Sequence, residues 1–103
     1  MAIMEISVMP VGQGTSMSRI IAKSIQALEK EPGVEFEMTS MGTIISGEVD
    51  RLLQVALKMH LAVREAGAQR IITTVKIDDR RDKTVTMTSK VESLKEKLGK
   101  RAG

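Results

Sequence analysis

The chain has 103 residues, enough for one domain with a modest core, and its 42% hydrophobic and 28% charged residues are ordinary for a soluble protein. It has no cysteine, which excludes a disulfide framework, a thiolate metal site and a cysteine nucleophile. The net charge of +3 is concentrated in Lys90, Lys95, Lys97, Lys100 and Arg101, and Phe36 is the single aromatic residue, so nothing is available on which nucleotide bases would stack.

Residues 2–9 alternate Met4, Ile6 and Val8 with Glu5 and Ser7 and read as a strand. Pro10, Gly12 and Gly14 mark a loop, after which Thr15 or Ser16 can cap a helix. That helix runs to about Lys30 with Met17, Ile20, Ile21, Ile25 and Leu28 on one stripe, and Pro32-Gly33 ends it. Residues 34–40 form a second strand with Phe36 and Met38 on one face and Glu35, Glu37 and Thr39 on the other. Met41-Gly42 turns the chain into a short third strand over residues 43–46.

Gly47 is expected to open a second helix, with Glu48 and Asp50 suited to its positive end. Val49, Leu52, Leu53, Ala56, Leu57, Leu61 and Val63 give it a wide apolar face, and Gly67 is a natural stop. Residues 70–78 are rich in β-branched side chains and read as a fourth strand, followed by a charged turn over residues 79–83. Ser89 and Glu92 match a capping box before a last helix carrying Val91, Leu94 and Leu98, which are expected to dock on the body or on a neighbouring subunit.

The order predicts an α+β fold: a ferredoxin-like βαββαβ sandwich with an additional C-terminal helix, as a single domain over residues 1–103. Two helices then cover one face of the sheet. The other face carries Ile3, Glu5, Ser7, Met9, Glu35, Glu37, Thr39, Ile72, Thr74 and Lys76. It is either solvated or an interface between sheets, in which case Lys76 would pair a buried carboxylate.

Three clusters invite a chemical reading. The Gly12-to-Ser16 loop leads into a helix N-terminus but lacks the lysine of a phosphate-binding loop and the third glycine of a dinucleotide fingerprint. His60 stands alone, a poor basis for a metal site and better read as a half-buried packing residue. The Asp78–Lys83 run is either a solvated turn or a network fixing a strand end or a subunit contact. No serine or threonine has a partner base in the sequence, so no enzyme activity is expected. No apolar run approaches the ~18 residues of a membrane span. The first residues lack the pattern of a signal peptide, so a cytoplasmic location is expected.

The segments SVMPVGQGTSMSRIIAKSIQALE, TSMGTIISGEVDRLLQVALKMH and REAGAQRIITTVKIDDRRDKTVTMTSKVESLKEKL together resemble a family of small thiamine-binding proteins. The MGTIISG turn and the KIDDRRDK run carry the likeness most specifically. The resemblance implies a ferredoxin-like fold, tetramers built as dimers of sheet-paired dimers, and binding of thiamine or its hydroxymethylpyrimidine part, with no cofactor and no nucleic-acid or membrane partner. On that reading Glu5, Glu35 or Glu37 complements the thiazolium charge, with Glu37 preferred. The pyrimidine lies against Met9 and Met41, with Ser7, Thr39, Thr43 or Ser46 hydrogen-bonding it. An assembly module without a ligand stays open as the alternative.

Overall fold

The computed structural model describes residues 1–14, 17–81, 91–92 and 94–98. Its elements are β1 (Ala2–Pro10), α1 (Met17–Glu29), β2 (Glu35–Thr39), β3 (Gly42–Gly47), α2 (Val49–Glu65) and β4 (Ile71–Asp79). Residues 91–92 and 94–98 are helical, so the additional C-terminal helix follows the βαββαβ unit. The four strands form one antiparallel sheet in the order β2-β3-β1-β4. This is the ferredoxin-like arrangement that two right-handed crossovers produce. Among the described residues no helix is long and apolar enough to cross a membrane.

The two-residue period of β1 sets both faces of the sheet. Ala2, Met4, Ile6 and Val8 are buried, whereas Ile3 and Ser7 are half-buried and Glu5 and Met9 exposed. Ladder pairing extends the buried row sideways, with Met4 between Ile45 and Ile77 and Ile6 between Thr43 and Val75. Against that row pack Ile20 and Leu28 of α1 and Leu52, Val55, Ala56, Met59 and Val63 of α2. Each fully buried aliphatic side chain here is worth about 2–5 kcal/mol against truncation to alanine.

Three local expectations are corrected. Gly47 does not open α2 but ends β3; a Cβ there would lie 3.1 Å from Val34 Cγ1, so its smallness serves close packing. Glu48 becomes the N-cap in an extended conformation and makes no side-chain cap bond. Leu53 and Leu57 are 53% and 58% exposed, because the apolar arc of α2 is wider than the sheet and α1 can cover, and Val55 and Met59 fill the core instead. Gly67 does stop α2: with φ of 105° it adopts the left-handed conformation of a C′ residue and donates to the Arg64 carbonyl at 3.0 Å.

Thr15 and Ser16, expected to cap α1, lie outside the described residues, as do Ser89 of the capping box and Asp82 and Lys83 of the charged run. Within that run Asp78 belongs to β4 as its strand reading expected, and Asp79, expected in the turn, ends the same strand. Val91, Leu94 and Leu98 are each about half exposed on the single chain. His60 is half-buried, and its Nδ1 is hydrogen-bonded to Thr73 Oγ1 of β4 at 2.6 Å, a packing and tethering role.

The end of α1 is pinned to α2 by charge. Glu31 receives Lys58 Nζ at 2.9 Å on one carboxylate oxygen and the Arg51 guanidinium on the other. Arg51 also donates to the Pro32 carbonyl, from Nε at 3.2 Å and from a terminal nitrogen at 3.1 Å. The Glu31 side chain is only 10% exposed. The Lys58 hydrogen bond first, and the Arg51 bond second, hold its carboxyl below the usual glutamate range. A depressed folded pKa adds stability above the unfolded value, and that increment disappears as pH falls through the folded one. Urea unfolding across a pH series is expected to show the wild type more stable than Glu31→Gln at neutral pH, with the gap closing below the ordinary glutamate range. A gap independent of pH would contradict the pin.

Candidate functional site

β1 is longer than its inner neighbour, and the mismatch makes a notch. Its ladder with β4 runs to Pro10↔Ile71, but its ladder with β3 ends at Ile6↔Thr43. Val11 N–H donates to the Arg70 carbonyl at 2.8 Å, so the odd-numbered main-chain groups of this stretch point toward β4. By strand alternation the N–H and C=O of Val8 point the other way, toward the β2–β3 hairpin, beyond the last β3 pair. A main-chain donor and acceptor thus stand side by side without a strand partner, and such groups carry a strong demand for hydrogen bonds.

This notch opens into a cavity of about 240 Å³. Its walls are Ile6 to Met9 of β1, Ile21, Ser24 and Ile25 of α1, the hairpin from Met38 to Thr43, and Met59 of α2. Ser7, Met9, Thr39, Met41 and Thr43, which the sequence singled out, all line it. The hairpin tip is fixed by Thr39, whose hydroxyl donates to the Gly42 carbonyl at 2.8 Å and accepts from Met41 N–H at 3.2 Å. Thr39 therefore shapes the wall more than it offers a free polar group. Ser24 is similarly engaged, donating to the Ile21 carbonyl at 2.6 Å. The hydroxyls of Ser40 and Thr43 have no hydrogen bond among the described residues and remain for a ligand, whereas Ser7 alternates with Ile6 and Val8 and carries its hydroxyl toward the open face.

The other two singled-out residues lie elsewhere. Glu37 lines a second cavity, of about 280 Å³, on the open sheet face, with Ile3, Glu5, Ile44, Lys76, Asp78 and Val91. Glu5 stands between Ile44 and Lys76 across the ladders there. Ser46 is 3% exposed beside Ile3 and Glu35 and lines neither cavity. Among the described residues no group of three His, Asp or Glu side chains is placed to hold a metal ion.

The two cavities differ in chemistry. The open-face one mixes three carboxylates and a lysine with apolar floor, whereas among the described residues no charged side chain lines the notch. A neutral, flat, hydrogen-bonding ring suits the notch: methionines and aliphatic side chains cover its faces, and hydroxyls and the Val8 main chain meet its edge.

Residues 4–95 match the sequence model of a family described as thiamine-binding protein. The chain belongs to the thiamine-binding protein family. Its similarity to other members runs nearly end to end. It is 43% identical over 96 residues to a UPF0045 protein of Methanothermobacter thermautotrophicus, covering 91% of this chain and 96% of the relative. A UPF0045 protein of Bacillus subtilis is 36% identical over 102 residues, covering 95% and 98%. The crystal structure of a hypothetical protein from Methanocaldococcus jannaschii superposes with a TM-score of 0.84 at 30% identity, covering 92% of this chain and 96% of that one. A Thermotoga maritima protein named for thiamine biosynthesis or salvage, 18% identical, shares the fold with a TM-score of 0.77 over 90% and 97% of the two chains.

In this member of the thiamine-binding protein family the contribution of α1 to the notch was not visible from strand patterns. Ser24 carried the one local signal: a serine set between Ile20 and Leu28 on the apolar stripe, buried to 2%. Gly42 sets how closely the hairpin approaches β1, since a Cβ there would sit 2.9 Å from the Ile6 carbonyl oxygen. Backbone cannot yield as a side chain tip does. Gly42→Ala is expected to cost about 1–3 kcal/mol, as overpacking does, and to lower the melting temperature by several degrees. An unchanged melting curve would show that the approach is not constrained.

Proposed function

We propose that this protein binds thiamine or its hydroxymethylpyrimidine part, without catalysing a reaction, in the notch between β1, the hairpin and α1. The observation that carries the reading is the convergence of Ser7, Met9, Thr39, Met41 and Thr43 on one cavity beside the unpartnered Val8 main chain. The aminopyrimidine edge presents an amine donor next to a ring-nitrogen acceptor. Val8 C=O and N–H form the complementary pair, and the Thr43 hydroxyl reaches a further polar atom. Each such bond contributes roughly 0.5–1.5 kcal/mol net, and burial of the ring adds an apolar contribution of similar or larger size. Together they support a dissociation constant in the micromolar range, about −8 kcal/mol. The family description and the naming of the Thermotoga maritima protein point to the same ligand.

The reading includes assembly into a tetramer through the open sheet face. Met9 and Ile72 are ladder partners there, 40% and 50% exposed, and Ile3 lies on the same face. Covering them against a second copy gains roughly 25 cal/mol for each Å² of apolar surface removed from water. In such an assembly Glu5, Glu37 and Asp78 face Lys76 across or within the interface.

Native mass spectrometry with thiamine or hydroxymethylpyrimidine, backed by calorimetry, reads both halves of the proposal. The expected result is a tetramer carrying ligand, with Thr43→Val folded and several-fold weaker in binding, because volume is kept and one hydroxyl is lost. Absence of heat and of adducts at millimolar ligand would overturn the binding assignment and bring the assembly module forward; a monomer mass would overturn the assembly.

A further inference from the structure

The notch encloses less space than sites that surround a whole drug-sized ligand. Its 240 Å³ falls below the ~300–1,000 Å³ typical of sites that enclose a drug-sized molecule. It does not end blindly. A shallow groove of about 460 Å³ runs along the outer flank of α1 and shares Ile21, Ile25 and Met38 with the notch. Beyond those shared residues it is lined by Ser18, Ala22, Gln26 and Glu29. Among the described residues Glu29 is therefore the one charged side chain lining either the notch or its extension. It is exposed and makes no ion pair among the described residues, in contrast with Glu31 two residues on. The cations of α1, Arg19 and Lys23, do not line the groove; by the 100° step per residue they stand about 20° and 60° around the helix axis beyond Gln26 at its flank, and about 80° and 120° from Glu29.

We propose that notch and groove form one bipartite site that takes a neutral aminopyrimidine head and a positively charged second ring, with Glu29 as the counter-charge, and that this site discriminates against phosphorylated ligands. The inference rests on the binding reading above and adds what the site selects. Among the described residues every polar group lining the notch is neutral, and the groove lining contributes one negative charge and no positive one. A phosphate carried past Met38 meets a carboxylate and finds no lysine, arginine or histidine in the lining, so its desolvation is not offset. A thiazolium in the same place meets the carboxylate across an exposed groove. An exposed ion pair is a weak contact, and it is screened by salt. The effect of Glu29 is therefore modest in size and specific in pattern: it applies to cationic ligands and strengthens at low ionic strength.

The pin at Glu31 supports this geometry. Lys58 and Arg51 hold the end of α1 against α2, which fixes where Glu29 stands relative to the hairpin residue Met38.

The test is calorimetry at low and at physiological salt, with hydroxymethylpyrimidine, thiamine and thiamine diphosphate as probes, on wild type, Glu29→Gln and Glu29→Lys. Glu29 is exposed, so both variants are expected to keep the wild-type melting curve. For Glu29→Gln, thiamine binding is expected to weaken about two- to five-fold at low salt, while hydroxymethylpyrimidine binding is unchanged. Wild type is expected to bind thiamine diphosphate at least about tenfold more weakly than thiamine, and Glu29→Lys to narrow or reverse that ratio. If hydroxymethylpyrimidine and thiamine both bind but neither variant changes their ratio, or if thiamine diphosphate binds as well as thiamine, the bipartite site is wrong while the notch assignment stands. If no probe binds wild type, the notch assignment itself falls and the bipartite site with it.

Discussion

The ladder between β1 and β3 closes at Ile6↔Thr43, while β1 continues to Pro10 against β4. Four strand residues, Ser7 to Pro10, therefore run past the last β3 pair, and the hairpin turns back because Thr39 ties its tip and Gly42 lets it approach the Ile6 carbonyl. An unpaired strand edge inside a fold carries a standing demand for hydrogen bonds. Everything proposed for the ligand depends on that demand being met by a small flat molecule and not by another strand. α1 supplies the lid side of the notch through Ile21, Ser24 and Ile25, so the same helix that covers the core also bounds the site.

Charge is partitioned around this constraint. The notch is neutral, the groove beyond it ends at Glu29, and the carboxylates Glu5, Glu37 and Asp78 gather with Lys76 on the far face of the sheet. Ion pairing is reserved for structure: Glu31, Lys58 and Arg51 bind the α1–β2 connection to α2. Separation of these roles follows from the pleat, because successive residues of β1 and β2 face opposite sides of the sheet. Glu37 and Met38, adjacent in sequence, consequently line different cavities.

The strand faces were legible in the sequence because period-2 alternation is strong in β1 and β2: Met4, Ile6, Phe36 and Met38 point to the helices as their spacing requires. The ferredoxin-like order followed from element order and crossover handedness. Ser7, Met9, Thr39, Met41 and Thr43 were singled out through the family resemblance; that they border one cavity beside α1 follows from the strand register and not from the alternation. What sequence patterning did not reveal depends on the third dimension. The unpaired Val8 groups require the register to be known, and the α1 wall requires the helix rotation. In α2 the buried Leu52, Val55, Ala56, Met59 and Val63 keep the i, i+3, i+4 spacing of one stripe, and exposed Leu53 and Leu57 are each one residue, about 100°, off it; counting apolar residues across a wide arc did not separate the two sets.

Amide chemical shifts and hydrogen exchange in the labelled protein, followed on addition of hydroxymethylpyrimidine, test the central assignment most directly. The expected result is that the Val8 amide shifts and gains protection, together with shifts at Ser7, Met41 and Thr43 around the notch. Shifts confined to Ile3, Glu5, Glu37 and Lys76, with Val8 unchanged, would place the ligand on the open sheet face and contradict recognition by the unpaired edge of β1.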